Sequence, residues 1–136
     1  SDRLRETGWR IASHSYTHNS YFQDGSVTME QLQSDTERWR TRIEPVVGPT
    51  NLYISPFGMH LSATDPRMAY LQSQGYQVYC PVSSAMGLRW GGGVVIHERF
   101  NLDGLSLRGR QKEIAQWFFD PAAVYDDARP TPLPPA

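Results

Sequence analysis

The sequence predicts an α/β fold with largely parallel strands. Apolar segments of strand length alternate with amphipathic segments of helix length along the 136 residues. Hydrophobic side chains make up 39% of the residues and aromatic ones 12%, which favours a packed core over disorder. Chains that alternate strands and helices in this way bury a parallel sheet against helices.

The first half of the chain begins with short elements. The end of a helix is predicted over 1–7 with a stop at Gly8, and Trp9–Ser13 alternates apolar and polar side chains as a strand does. A polar, aromatic loop follows over 14–25. The clearest helix is predicted over 28–46, where Thr28 and Gln31 resemble a capping box. Its apolar face carries Met29, Leu32, Thr36, Trp39 and Ile43 at helical spacing.

The second half continues the alternation. Further strands are predicted over 52–54, 77–81 and 94–96. A helix over 64–74 separates the first two, and a glycine-rich loop over 86–93 precedes the third. A last helix is predicted over 110–119, with Ile114, Trp117 and Phe118 as its apolar stripe. We expect one domain over 1–125 and a Pro-rich tail over 126–136.

The charge balance argues against several classes of partner. The chain has 13 basic and 14 acidic side chains and a net charge of -1, so no basic excess draws it to nucleic acid or anionic lipid. No stretch is long and apolar enough to insert into a membrane. A neutral carbohydrate or a small molecule suits this balance better, and little charge repulsion opposes a homo-oligomer. The single cysteine, Cys80, cannot form an intramolecular disulfide.

The central motif is His14-Ser15-Tyr16-Thr17-His18. Two histidines four residues apart can bind one divalent metal through their imidazole nitrogens. They leave the ion short of a third protein ligand, typically a carboxylate, and leave one position open for water. A metal in such a site lowers the pKa of its water and polarises a carbonyl. The alternative is a pair of loop histidines with ordinary hydrogen bonds.

The segment from Gly8 to His18 resembles the second motif of the polysaccharide deacetylase, or NodB-homology, family, in which a short strand precedes His-Ser/Thr-x-x-His. The resemblance implies that His14 and His18 bind a divalent metal, most simply zinc, and that Ser15 shapes the loop. Tyr16 is expected to line the substrate groove. The resemblance also implies a distorted (β/α) barrel, present here without its first strand.

Two later segments are similar to other motifs of this family. The segment 53–58 resembles the Arg-Pro-Pro-Tyr-Gly segment, which implies that the backbone N–H of Phe57 helps to stabilise an oxyanion. A plain turn after a strand is the alternative. The segment 94–97 resembles the closing strand that ends in Leu-x-His, which implies that His97 protonates the leaving group and that Val95 lines the acetyl pocket. A partly exposed histidine at a strand end is the alternative.

Other family features are missing from the sequence. The Asp-Asp pair of the family's first strand, which supplies the base and the third metal ligand, is expected upstream of Ser1. The motif arginine is absent over 53–55, and the aspartate that pairs with it is absent over 80–84. The joint absence of this arginine and its aspartate is physically consistent, because a buried charge without its partner is costly. Because the Asp-Asp pair would supply the base and the third metal ligand, we expect the 136-residue chain alone to be inactive.

Three remaining features are less specific. Trp90 lies in the glycine-rich loop, where it can stack on a sugar ring and bind substrate, or pack in the core. Glu98 and Arg99 are predicted to form a solvated ion pair. Asp103-Gly104 is predicted to form a turn.

The resemblance implies metal-dependent hydrolysis of N- or O-linked acetyl groups on a polysaccharide, outside the cell or in the cell envelope. Two other classes stay open. One is an inactive relative that serves as a carbohydrate-binding or structural module. The other is a cytoplasmic metalloenzyme that acts on a small amide.

Overall fold

A computed structural model describes residues 2–83 and 86–123 and shows a mixed α/β fold with a parallel-rich sheet. The helices are α1 (Asp2–Glu6), α2 (Met29–Arg42), α3 (Glu44–Val47), α4 (Pro66–Ser73), α5 (Gly104–Gly109) and α6 (Gln111–Trp117). The strands are β1 (Leu52–Ile54), β2 (Val78–Cys80), β3 (Leu88–Gly91) and β4 (Val94–His97). Single 3-10 turns lie at Ser20–Phe22, Pro56–Gly58 and Pro121–Ala123. None of the described helices is long and apolar enough to cross a membrane.

The chain divides into two compact units, Ser1–Arg99 and Phe100–Ala136. The first unit contains the whole four-stranded sheet, and the second contains α5 and α6. The predicted Pro-rich tail over 126–136 lies outside the described residues.

The sheet has the strand order β1-β2-β4-β3. β1, β2 and β4 run parallel, and β3 is antiparallel to β4. Ser13 forms a parallel bridge to Tyr53 beside β1. Ser13, Tyr53, Tyr79 and Ile96 therefore share one row across the sheet. The next residue of each segment begins or precedes the loop at the carboxyl end of the strands.

One face of the sheet packs against α2 and α4. The side chains of Tyr53, Tyr79 and Ile96 lie on this face within a buried apolar cluster. The cluster is completed by Phe22, Val27, Leu32, Met59, Leu61, Met68, Leu71, Tyr76 and Val94. Because successive side chains of a strand alternate in direction, the other face carries the intervening residues. These are half-buried at Leu52, Ile54, Val78 and Val95.

The helix boundaries follow their end signals. The predicted capping box of α2 is confirmed, since the Thr28 hydroxyl accepts from the Gln31 N–H and the Gln31 side chain accepts from the Thr28 N–H. The predicted helix over 28–46 breaks after Arg42, and α3 follows with Pro45 in its first turn. Proline has no N–H to continue the ladder of the preceding helix, which accounts for the break.

The predicted strand over Trp9–Ser13 is wrong except at Ser13. The Ser13 N–H donates to the Leu52 carbonyl (2.9 Å), and the Ile54 N–H donates to the Ser13 carbonyl (2.8 Å). Further back, the Thr50 hydroxyl donates to the carbonyl of Ile11 (2.6 Å). A side chain thus satisfies the backbone where a ladder bond was expected.

The predicted glycine-rich loop over 86–93 is a β-hairpin. β3 and β4 pair so that Trp90 lies opposite Val95. Gly92 and Gly93 form the connection with φ values of +56° and +80°. A two-residue hairpin turn of type I′ requires two positive φ values, which glycine adopts without steric cost.

The second unit departs from two predictions. Asp103 does not form a simple turn but caps α5, where its side chain accepts from the Ser106 N–H (2.8 Å). The last helix is confirmed as α6, and its Ile114 is buried. Trp117 and Phe118 are 54% and 41% exposed, so of the predicted apolar stripe only Ile114 is buried.

Gly58 tests how tightly the turn after β1 packs. Its φ is +73°, and a Cβ added there would lie 2.5 Å from the Cβ of Val82. We expect Gly58→Ala to lower the free energy of unfolding by about 3 kcal/mol, through backbone strain and overpacking. Gly75→Ala is the control, since Gly75 has a φ of +92° and no atom within 4 Å of an added Cβ. It should cost about 1 kcal/mol in urea unfolding, and equal losses would show that the Val82 contact relaxes freely.

Candidate functional site

The loop that follows Ser13 and the turn that follows β1 share an uncommon backbone conformation. Ser15, His18 and Phe57 have φ values of 62°, 47° and 52°, and they are the non-glycine residues with positive φ in the described part of the chain. This region is disfavoured for residues with a side chain and persists where the surroundings hold it. Such conformations cluster at functional sites, so this place is the first candidate for one.

His14 is oriented by the main chain of β1. Its Nδ1 lies 2.8 Å from the carbonyl oxygen of Ile54. Because a carbonyl oxygen only accepts, Nδ1 carries the proton, and the lone pair of Nε2 is left for a ligand. This arrangement is typical of histidines that bind metals through Nε2.

His18 lies beside His14. The two ring centroids are 4.8 Å apart, with an angle of 61° between the ring planes. The His18 N–H donates to the Ser15 hydroxyl (3.0 Å), which closes the loop on itself. The structure therefore brings the two predicted ligands together, and the loop-shaping role of Ser15 stays a prediction.

Asp35 of α2 holds the middle of this loop, and the sequence analysis missed it. Its carboxylate accepts hydrogen bonds from the N–H groups of Tyr16 (2.7 Å) and Thr17 (2.9 Å) and from the Thr17 hydroxyl (2.6 Å). Asp35 is 2% exposed and lies on the helix face that also buries Leu32 and Trp39. A carboxylate on an otherwise apolar helix face was the available signal.

Phe57 lies next to the histidines, in the turn after β1. Its ring centroid is 4.3 Å from that of His18. The Gly58 N–H donates to the Ser55 carbonyl, which closes the turn. Within the described residues the Phe57 N–H has no acceptor, and the residue is 47% exposed. Its N–H is therefore an unpaired main-chain donor among the described residues, in a turn whose aromatic side chain lies beside His18.

Arg99 binds main-chain carbonyls next to the same turn. The predicted solvated ion pair between Glu98 and Arg99 is wrong. The guanidinium donates through Nε to the Cys80 carbonyl (3.0 Å) and through Nη2 to the Ser55 carbonyl (3.0 Å). Glu98 is buried and pairs with Arg89 instead. Successive residues at the end of a strand point to opposite sides, which separates Glu98 from Arg99.

The predicted residues of β3 and β4 lie further along the sheet. His97 is exposed at the end of β4, one residue beyond Ile96 of the row that Ser13 shares, and β1 and β2 lie between it and the His14 loop. Val95 is half-buried on the same face as His97. Its cross-strand neighbour Trp90 is 72% exposed. These three side chains form a second group, separate from His14 and His18.

Burial controls the ionisable groups behind the site. It raises the pKa of the Cys80 thiol, and the Arg99 guanidinium opposes that rise. A thiol kept neutral is a poor metal ligand. Burial also raises the pKa of the Tyr53 hydroxyl, and neighbouring Tyr79 and Asp35 add to the effect. Neither group supplies an anion to the histidines.

The two imidazoles fit one half of a divalent metal site. Their rings are adjacent, and His14 has its second nitrogen satisfied by a carbonyl. Among residues 2–83 and 86–123, no three His, Cys, Asp or Glu side chains are grouped closely enough to hold a metal ion. Asp35 contacts the loop, but its carboxylate already accepts three hydrogen bonds from Tyr16 and Thr17.

The comparison with protein families is informative for the first part of the chain. The family model described as polysaccharide deacetylase matches residues 1–79, which is more than half of the sequence. The matched segment includes His14, His18 and Phe57 and ends before β3 and β4. No curated protein and no solved structure matches the chain significantly. The resemblance at 94–97 therefore stays a prediction.

The support that Arg99 gives to the Phe57 turn can be measured. Arg99→Met removes charged donors from two carbonyls, and we expect a loss of about 2–3 kcal/mol in the free energy of unfolding. Amide exchange at Gly58, whose N–H closes the turn, should accelerate. Arg10→Met is the control, because Arg10 is exposed on the surface, and it should change stability by less than about 0.5 kcal/mol. Equal stability of the two variants would contradict the supporting role.

Proposed function

We propose a function from one established premise: the chain belongs to the polysaccharide deacetylase family. The proposed reaction is metal-dependent hydrolysis of N- or O-linked acetyl groups on a polysaccharide. The observation that carries it is the pair of adjacent imidazoles, with the Nε2 lone pair of His14 left for a ligand. Zinc is the proposed ion, because neutral imidazole suits it and the loop offers nitrogen ligands.

Each group of the loop has a distinct part in this proposal. His14 and His18 hold the ion, which supplies Lewis acidity for a carbonyl or for water. The Phe57 N–H donates to the acetyl oxygen as negative charge develops there. Its availability and its position beside His18 support this part. Tyr16, a residue of the loop that is 36% exposed, is proposed to contact the substrate.

The second group is proposed to serve the leaving group and the sugar. His97 donates a proton to the departing atom, Val95 lines the acetyl pocket, and Trp90 stacks on a sugar ring. Three strand spacings separate His97 from the His14 segment, about 14 Å in a flat sheet. The acid role of His97 thus requires a curved sheet, as in the distorted (β/α) barrel, without its first strand here, that we propose for the complete domain.

The third metal ligand and the base are proposed to be carboxylates from outside these 136 residues. Within the described residues no carboxylate completes the histidine pair. We therefore expect the 136-residue chain to bind zinc weakly and to release acetate from acetylated oligosaccharides only at the background rate. A location outside the cell or in the cell envelope is part of the same proposal, since that is where polysaccharides of this kind are accessible.

A second candidate function is a carbohydrate-binding module without activity. The observation that favours it is Trp90, which is 72% exposed on the β3–β4 hairpin. An exposed indole offers a flat apolar face to a sugar ring. In this case binding would depend on the hairpin and not on the histidine loop.

The metal part of the proposal is tested by zinc titration calorimetry. Either His14→Ala or His18→Ala should reduce zinc binding to a non-specific level, because each removes one of two protein ligands. His60→Ala and His97→Ala are the matched controls, since neither lies in the loop, and both should bind zinc like the parent. Parental affinity in both loop variants would contradict the assignment.

The two candidate functions are separated by oligosaccharide binding. For a deacetylase, acetylated chito-oligosaccharides should bind more tightly than deacetylated ones, and zinc should strengthen the binding. His14→Ala should abolish the zinc effect. For a binding module, zinc and the acetyl groups should have no effect, and Trp90→Ala should abolish binding of both ligands. The second pattern would overturn the enzyme proposal in favour of the module.

A further inference from the structure

We propose that Asp35 is the positioning residue of the His14–His18 pair and sets its affinity for zinc. The inference rests on the proposed metal site and extends it to a residue that binds no metal itself. Its basis is the carboxylate's set of partners, all of which lie between the two histidines in the chain.

The carboxylate is committed to the loop. Asp35 is 2% exposed, and its oxygens accept three hydrogen bonds from Tyr16 and Thr17 at 2.6–2.9 Å. No Lys, Arg or His of the described chain lies within salt-bridge distance of it. A buried carboxylate without a cation persists when several donors replace its water. The loop donors therefore stabilise the charge, and the charge stabilises the loop.

The loop needs such a hold because its conformation is disfavoured. Ser15 and His18 flank the clamped residues, and both have positive φ. At one end of the loop the Ile54 carbonyl accepts from the His14 ring. At the other end the Ser15 hydroxyl accepts from the His18 N–H. Asp35 fixes the middle to α2, a helix anchored by its capping box and its buried face. Together these contacts hold the two imidazoles adjacent.

An amide cannot replace the carboxylate. Asparagine has a single carbonyl oxygen, and its NH₂ group would face the N–H or hydroxyl donors of the loop. Asp35→Asn should therefore release the loop while keeping the size of the side chain. The free-energy cost of bringing the two histidines together would then reduce the free energy of zinc binding. The affinity for zinc would therefore fall.

The test is zinc titration of the 136-residue chain, with the visible spectrum of bound cobalt(II) as a second readout. Asp35→Asn should weaken zinc binding roughly 10- to 100-fold, as removal of outer-shell partners does at other metal sites. It should also alter the cobalt spectrum and accelerate amide exchange at Tyr16 and Thr17. Thr17→Val removes the 2.6 Å hydroxyl bond to Asp35 and a 3.3 Å contact with the Tyr21 hydroxyl, and it should weaken zinc binding by roughly two- to fivefold. It carries the test if Asp35→Asn fails to fold.

Two control variants isolate the effect of the hydrogen bonds between Asp35 and the loop. Glu37→Gln removes an exposed carboxylate from the same helix, and Gly75→Ala lowers stability far from the loop. Both should keep the parental zinc affinity. Parental affinity in folded Asp35→Asn, or in Thr17→Val, while His14→Ala abolishes binding, would overturn the role of Asp35 and leave the metal site standing. Parental affinity in His14→Ala and His18→Ala would instead remove the metal site itself.

Discussion

The parallel register of the sheet places both histidines that lie at strand ends, His14 and His97, and the carbonyl of Ile54. Ser13, Tyr53, Tyr79 and Ile96 share one row, with their side chains buried. Because strand side chains alternate, the next residue of each segment turns away from the helices and lies at the carboxyl edge. In three of the four segments that step leads to a candidate group or its anchor, which are His14, Ile54 and His97. A slip of one residue would bury the histidines in the apolar cluster.

The histidine loop is held largely by contacts between side chains and the main chain. Ile54 offers a carbonyl to His14, and Phe57 presents an N–H beside His18. The two charges that support these backbone segments, Asp35 and Arg99, each bind main-chain groups and make no ion pair among the described residues. A carboxylate that accepts from N–H groups and a guanidinium that donates to carbonyls are charge-assisted contacts, which are stronger than neutral ones. They can therefore hold backbone conformations that short loops alone would not keep.

The sequence predicted what depends on periodicity and on end signals. The capping box of α2, the proline-led start of α4 and the strands β1, β2 and β4 are all present. The predicted histidine pair is adjacent because its spacing falls within one loop. The role of Asp35 was missed and Arg99 was assigned the wrong partner, because main-chain partners leave no complementary residue in the sequence to recognise.

The hairpin was missed for a different reason. The glycines over 86–93 indicate a loop, although Gly92-Gly93 with Trp90 before it and Val94-Val95 after it is also a hairpin signal. The strand at Trp9–Ser13 was predicted from alternation, which describes side-chain direction but does not guarantee a pairing partner. In both cases the local sequence pattern indicates an extended or flexible segment. It does not indicate which other segment of backbone that segment pairs with.

Phe57 illustrates how a position can matter while its side chain tolerates change. The group proposed to contact a ligand there is the amide hydrogen, in a turn defined by a φ of 52° and by the hydrogen bond that closes it at Gly58. Exchange of one aromatic ring for another leaves that hydrogen in place. What the position cannot accommodate is proline, which lacks the hydrogen and fixes φ near −65°. Related proteins are therefore expected to carry different aromatic side chains at residue 57. Gly58, which packs against Val82, is expected to be retained.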